Sequence, residues 1–75
     1  MFEKLMELMT NYVEFDAGSV NGNSRFAEDL GFNSYDFMCM LGDAEDELDV
    51  AIDEAQAGKC KTVGELVAYL EGLQA

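Results

Sequence analysis

Apolar residues recur at helical spacing in three stretches of the chain. Phe2, Leu5, Met6, Met9 and Val13 follow i, i+3, i+4, i+7, i+11 spacing and trace one stripe of an amphipathic helix. Glu3, Glu7 and Glu14 point elsewhere, and Asp16-Ala17-Gly18-Ser19 ends the pattern. Ser34 opens a second helix, in which Phe37, Leu41, Ala44 and Leu48 repeat at i, i+4, i+7, i+11. Asn33 or Ser34 can cap it, since either side chain can accept from the free amides of the first turn. Asp36 in that turn suits the helix dipole, and Ile52 continues the stripe just past the helix end. The segment from Asp53 to Gly58 predicts one short helical turn stopped by Gly58. A third stripe, Val63, Leu66, Val67, Leu70 and Leu73, begins at Thr62-Val63-Gly64-Glu65. That run is a capping box, in which Thr62 and Glu65 satisfy each other's free backbone amides.

From Asp16 to Asn33 the chain is rich in Gly, Asn and Ser, and periodicity disappears. A connection this long is unusual in a compact domain, which points to function or to anchors of its own. Phe26, Leu30 and Phe32 are those anchors. No strand alternation and no internal repeat occur. The expected fold is all-α, a small four-helix bundle of three main helices plus one short helix, with a long loop after helix one.

Composition narrows the function classes. Seventy-five residues form a single domain, 1–75, and a chain of that size buries only roughly 60% of the surface its unfolded state exposes. Sixteen Asp or Glu stand against four Lys or Arg, a formal charge of −12, yet 49% of the residues are apolar. The charge excludes nucleic acid, because no basic stripe displaces counterions from phosphates, and it disfavours anionic membrane surfaces. The apolar fraction excludes a disordered acidic tail. No basic-then-apolar leader and no run of membrane-span length is present, so the expected setting is the cytoplasm, with Cys39 and Cys60 reduced.

Residue types argue against independent catalysis. With His absent, neither a Ser–His nor a Cys–His nucleophile can be built. The carboxylates form a crowd rather than an isolated pair, and no metal site is expected. An EF-hand register from Asp16 puts Gly18, Val20 and Ala27 at ligand positions and Asn21 where Gly is needed. The two cysteines have no metal-ligand spacing. The Met residues of the stripes, Met6, Met9, Met38 and Met40, read as core.

The acidic residues cluster. Between Phe26 and Gly58 lie Glu28, Asp29, Asp36, Asp43, Glu45, Asp46, Glu47, Asp49, Asp53 and Glu54, with no cation among them; Lys4, Arg25, Lys59 and Lys61 are all outside. On the second helix Asp36, Cys39, Asp43, Asp46 and Glu47 fall close to one face, opposite the Phe37–Leu48 stripe, with Met38 and Glu45 on its flank. Solubility is normally achieved with mixed signs, and a one-signed face steers basic partners. This face is therefore read as a docking face.

Ser34 sits where that face meets the loop, within Glu28-Asp29-Leu30-Gly31-Phe32-Asn33-Ser34-Tyr35-Asp36. This stretch resembles the acyl carrier protein family, whose members carry an acidic Glu-Asp-Leu-Gly run and then an Asp-Ser-Leu motif opening the second helix. The likeness extends from Asn23 to Ala75 and takes in Phe26, Glu45-Asp46-Glu47, Leu48-Asp49, Ile52, Thr62-Val63 and Tyr69-Leu70-Glu71-Gly72. The first helix matches in pattern only. A serine at a helix start also places a phosphodiester beside free amides and the positive end of the dipole.

The resemblance implies that Ser34 bears 4′-phosphopantetheine, whose terminal thiol holds acyl intermediates as thioesters, and that the protein is a carrier rather than an enzyme. It implies docking through Asp36, Met38, Glu45 and Asp46, and an acyl chain lined by Phe37, Met40, Leu41, Leu66 and Leu70. The implied partners are a phosphopantetheinyl transferase and acyl-transferring or chain-elongating enzymes with basic docking patches, met by a monomer. Asn33 replaces the family's Asp before the serine, Tyr35 its Leu, and Cys39 a position often acidic. Gly42 stands in mid-helix, and Asp53 replaces a Pro. These departures point to a specialised carrier, for polyketide, nonribosomal peptide or aminoacyl chemistry, as the alternative to fatty-acid synthesis. The competitor of another class is a non-covalent acidic adaptor or cation-binding protein.

Overall fold

The computed structural model describes residues 1–74; Ala75, the last position of the family resemblance, lies outside the described residues. Four α-helices occur among these residues: α1 (Phe2–Met9), α2 (Ser34–Leu48), α3 (Glu54–Ala57) and α4 (Val63–Gln74). A single 3-10 turn, Ala17–Ser19, interrupts the long loop. The all-α bundle of three main helices and one short helix is as expected.

α1 packs against both α2 and α4. Leu5 and Met9 from α1, Met40, Leu41 and Ala44 from α2, Ala57 from α3, and Val63, Leu66 and Leu70 from α4 form one buried cluster. Burying that apolar surface is the main favourable term in the fold. Two details of the first stripe differ from expectation. Leu8, outside the stripe, is buried, whereas Met6 is only half-buried. The helix also stops at Met9, four residues short of Val13. Thr10 hydrogen-bonds back to the Glu7 carbonyl through Oγ1 at 2.6 Å, a local bond of the kind that competes with helix continuation. Val13 still packs on the core, from a turn in which its N–H reaches the Met9 carbonyl at 3.2 Å.

The loop is pinned against the lead-in to α4. The Val63 N–H donates to the Ser24 carbonyl at 2.9 Å, and the Phe26 N–H to the Lys61 carbonyl at 3.1 Å. Gly64 N–H reaches Gly22 O at 2.9 Å. Arg25 and Thr62 thereby form an isolated antiparallel bridge, too short for any period-2 signal in sequence. Gly31, at φ +79°, turns the chain so that the Phe32 N–H meets the Phe26 carbonyl at 2.9 Å. The Phe26 ring then packs edge-on to Phe32, centroids 5.6 Å apart, and tilted against Phe37 at 5.0 Å. Phe26 and Phe32 are buried and Leu30 half-buried, so the three anchors hold the loop as expected.

At its far end α2 closes on Asp49 in the left-handed conformation (φ 52°, ψ 50°), and the Val50 N–H returns to the Glu45 carbonyl at 3.2 Å. Asp53 caps α3 by accepting from the Ala55 N–H at 2.9 Å, and Gly58 follows its last turn. The capping box at α4 forms in both directions: Glu65 N–H to Thr62 Oγ1 at 3.2 Å, and Thr62 N–H to Glu65 Oε1 at 3.0 Å.

Candidate functional site

Ser34 is exposed and occupies the first position of α2. The cap is Asn33, whose side-chain oxygen accepts from the Asp36 N–H at 2.7 Å. Of the two caps open from sequence, the structure therefore selects Asn33, and the Ser34 hydroxyl takes no part in capping. An Asp at position 33 would accept the same bond, so Asn33 keeps the capping geometry and removes one negative charge next to the serine.

Beside Ser34 lies a cleft of about 440 Å³. Its apolar wall is Phe26, Phe32 and Phe37, and Arg25, Glu28 and Lys61 bring charge to it. The Arg25 guanidinium is held by Glu28 and by Asp29, the latter at 3.2 Å. These contacts, the Asp29 hydrogen bond first, hold the Arg25 pKa above its ordinary value and the Asp29 carboxyl below its own. A separate cleft of about 480 Å³ lies within the long loop, between Phe15, Asp16, Asn21 and Asp29, and shares no residue with the first. The second of these clefts shares no wall with Ser34, whereas the first includes it.

The residues predicted to line an acyl chain divide. Phe37 lines the cleft at Ser34. Met40, Leu41, Leu66 and Leu70 are instead at most 2% exposed in the core between the helices. The structure places these four outside the serine's cleft.

The docking residues also divide. Asp46 is exposed and Met38 is 37% exposed, whereas Asp36 and Glu45 are half-buried. One Glu45 oxygen is engaged by the Ile52 N–H at 2.9 Å, which ties the turn after α2 back to that helix. Tyr35, one turn before Met38, is 76% exposed and forms with it an apolar patch beside Ser34. The helical arithmetic that puts Leu41 inside puts Tyr35 outside.

The acidic face is not uniformly exposed, contrary to the sequence reading. Asp36, Cys39 and Asp43 are half-buried, and Tyr12 from the turn after α1 is set against Asp43. The Tyr12 hydroxyl donates to an Asp43 carboxylate oxygen. Nor is the face free of cations in space, since Lys4 from α1 lies 3.9 Å from Glu47. The segregation of charge along the chain is softened by the fold. Cys39 and Cys60 are both free thiols, and burial, then Glu65, pushes the Cys60 thiol up. Among the described residues no group of three or more Cys, Asp or Glu is placed to hold a metal ion.

An exposed hydroxyl on a helix's first turn, with cations at the adjoining cleft, fits a phosphodiester. Comparison with known proteins agrees with that chemistry. Residues 3–70 match the family model described as a phosphopantetheine attachment site. The chain is 34% identical to an acyl carrier protein of Lactobacillus acidophilus over 74 residues, 99% of this chain and 92% of that one. It is 31% identical to an acyl carrier protein of Thermotoga maritima over 95% of this chain and 88% of the relative. A third relative, the acyl carrier protein of an Exiguobacterium species, is 39% identical over 75% of this chain and 71% of its own.

Proposed function

Because the chain belongs to the acyl carrier protein family, whose prosthetic group is 4′-phosphopantetheine, we propose that Ser34 is the attachment point in a single carrier domain spanning 1–75. When bound, the group supplies a thiol that holds an acyl chain as a thioester. The observation that carries the assignment to Ser34 is its exposed hydroxyl on the first turn of α2, left free by the Asn33 cap. The chain's own residues then have three tasks. The α2 amides and dipole face the phosphodiester, the cleft at Phe26 and Phe37 shelters whatever folds back from it, and the exposed side of α2 presents an address to partner enzymes.

A carrier hands its cargo on by departing after each step, which favours fast, weak contacts over a large apolar interface. Tyr35 and Met38 as an apolar centre, with Asp36 and Asp46 near it, support that kind of docking to basic patches on a transferase and on acyl-handling enzymes. No helix among the described residues is long and apolar enough to cross a membrane. The cytoplasmic, monomeric setting belongs to this proposal.

Intact mass spectrometry after incubation with coenzyme A and a transferase tests the attachment. The expected result is a gain of one phosphopantetheine in the native chain and none in Ser34→Ala. A gain that persists in Ser34→Ala moves the site elsewhere.

A further inference from the structure

Asn21-Gly22 is the one Asn-Gly pair in the chain, and both residues are exposed in the long loop. Glycine has no Cβ, so nothing of its own shields its nitrogen from a neighbouring side chain. The chain has four asparagines, and the nitrogen that follows each is held differently. The N–H after Asn11 is that of Tyr12 and donates to the Met9 carbonyl at 3.1 Å. The N–H after Asn23 is that of Ser24 and donates to the Asn21 carbonyl at 3.0 Å. Asn33 precedes Ser34, whose side chain crowds its nitrogen, and the Asn33 oxygen is committed to the α2 cap. Among the described residues the Gly22 N–H has no protein acceptor. The Asn21 side-chain oxygen accepts from the Asn23 N–H at 2.8 Å, which holds Cγ and the Gly22 nitrogen in one hydrogen-bonded ring. That donor points at the oxygen on which negative charge develops when the nitrogen attacks Cγ.

We propose that Asn21 is a self-modification site, where the Gly22 nitrogen displaces the Asn21 side-chain amide and the loop loses its tie to α4. Hydroxide takes the Gly22 N–H proton, the nitrogen bonds to Asn21 Cγ, and ammonia leaves with a proton supplied by water. Water then adds to either carbonyl of the cyclic imide and breaks its bond to nitrogen, giving aspartate or isoaspartate. No oxidant or reductant is consumed. In isoaspartate the main chain runs through Cβ and Cγ, which inserts a methylene between positions 21 and 22. The fold has no slack there. Asn21 is held by Ser24 twice, N–H to Oγ and carbonyl to N–H, each at 3.0 Å. The Gly22 carbonyl accepts from the Gly64 N–H at 2.9 Å, and a Cβ on Gly64 would meet Gly22 backbone atoms at 2.7 to 3.2 Å. Two bonds hold Asn21 and one holds Gly22, so the Gly64 contact yields to the added atom. The new carboxylate joins Glu14, Asp16 and Asp29 around the loop cleft, in a chain already at −12.

The full chain, aged in neutral buffer made with heavy-oxygen water, tests this by peptide-level mass spectrometry. An isoaspartyl methyltransferase supplies a second readout. Asn21 gains the acid mass with one heavy oxygen and its peptide accepts a methyl group, while Asn11, Asn23 and Asn33 stay amides over the same interval. Gly22→Ala slows the gain several-fold; its Cβ meets Gly64 Cα at 3.7 Å, an ordinary contact that the fold accommodates. Asn21→Gln, one methylene longer, loses the gain at position 21 with the backbone at Gly22 unchanged. Gly64 lies in the first turn of α4 and has no acceptor within that helix, so its amide reports the tie. In the isoaspartyl form, separated by anion exchange, hydrogen exchange at Gly64 accelerates while Leu66 and Leu70 stay protected. Reaction spread evenly over the asparagines overturns the site, as does a native rate at Asn21 far below that of the chain unfolded in urea. An isoaspartyl chain whose Gly64 amide exchanges at the native rate overturns the loss of the tie.

Discussion

Tyr12 donates a hydrogen bond to Asp43, joining the turn after α1 to the middle of α2 across 31 positions of sequence. Both side chains are only part-buried, and Asp36 and Cys39 lie close enough to add to the negative field around the phenol. The contact closes the corner where α1 ends early, and it withdraws Asp43 from the face presented to partners.

That contact makes the fold sensitive to alkali. The Asp43 hydrogen bond, then burial, pushes the Tyr12 pKa up from 10.0 to about 12. A folded-state pKa above the unfolded one means the contribution is complete below about pH 10 and is lost as pH rises through about 12. Tyr12→Phe lacks the bond and melts at a lower temperature at neutral pH. The gap between native and variant narrows between those two pH values. Thermal melts at pH 8, 10 and 11.5 check this on the scale set by the ordinary phenol pKa, and a constant gap across them removes the linkage.

Asn33 separates a structural role from a recognition role. Asn33→Ala removes the cap on α2 and costs about 1 kcal/mol, read as a shifted urea midpoint. Asn33→Asp keeps the accepting oxygen and adds charge at the favourable end of the dipole, so stability is equal or slightly higher. If the missing charge tunes transferase choice, Asn33→Asp modifies faster with a fatty-acid-pathway transferase at unchanged stability. Equal rates for native and Asn33→Asp across several transferases argue against that reading of position 33.

Gly64 and Gly42 both lie within helices, in opposite surroundings. A Cβ at Gly64 would lie 2.7 Å from the Gly22 carbonyl oxygen, against backbone that the loop bridge holds in place. Gly64→Ala therefore costs about 1–3 kcal/mol, the range for forced overpacking. Gly42 is exposed within α2 with nothing within 4 Å of its Cβ position. Gly42→Ala stabilises by about 1 kcal/mol through helix propensity alone. Chemical denaturation of the two variants gives shifts of opposite sign.

The contrast between those glycines marks what a sequence read alone can reach. Periodicity locates the three main helices, the Asp53-to-Gly58 segment marks the short one, and the Thr62–Glu65 box and the Phe26–Phe32 anchors are visible as residue types at fixed offsets. Gly64 gives no local sign of its role, because the reason lies across the chain at Gly22. Tyr12–Asp43 and Lys4–Glu47 are likewise long-range, so the acidic block reads as more exposed and less compensated than it is. Ser34 is legible because its motif is contiguous. The cleft beside it is not, since Arg25, Phe37 and Lys61 come from three separate segments. The early stop of α1 at Met9 is missed for a different reason: the apolar stripe runs on to Val13 after the helix has become a turn.

Glu45 and Asp46 are adjacent carboxylates with different duties, and charge reversal separates them. Asp46 is exposed, and among the described residues its carboxylate forms no ion pair. Asp46→Lys leaves stability within about 0.5 kcal/mol, as surface substitutions usually do, and slows transferase association. The slowing fades as salt screens the native attraction, because the Debye length falls to about 3 Å at 1 M. Glu45→Lys does both things at once: it loses the carboxylate that accepts the Ile52 N–H, loosening the turn after α2, and it reverses a charge near the docking side. The expected signature is a lower melting temperature for Glu45→Lys that salt does not restore, together with a slower association that it does. Glu45→Gln, which keeps an accepting oxygen, recovers most of the stability while still lacking the charge. Stopped-flow association at low and high salt, paired with melts of the same variants, reads both effects. If Asp46→Lys associates at the native rate at low salt, Asp46 is not part of the docking address.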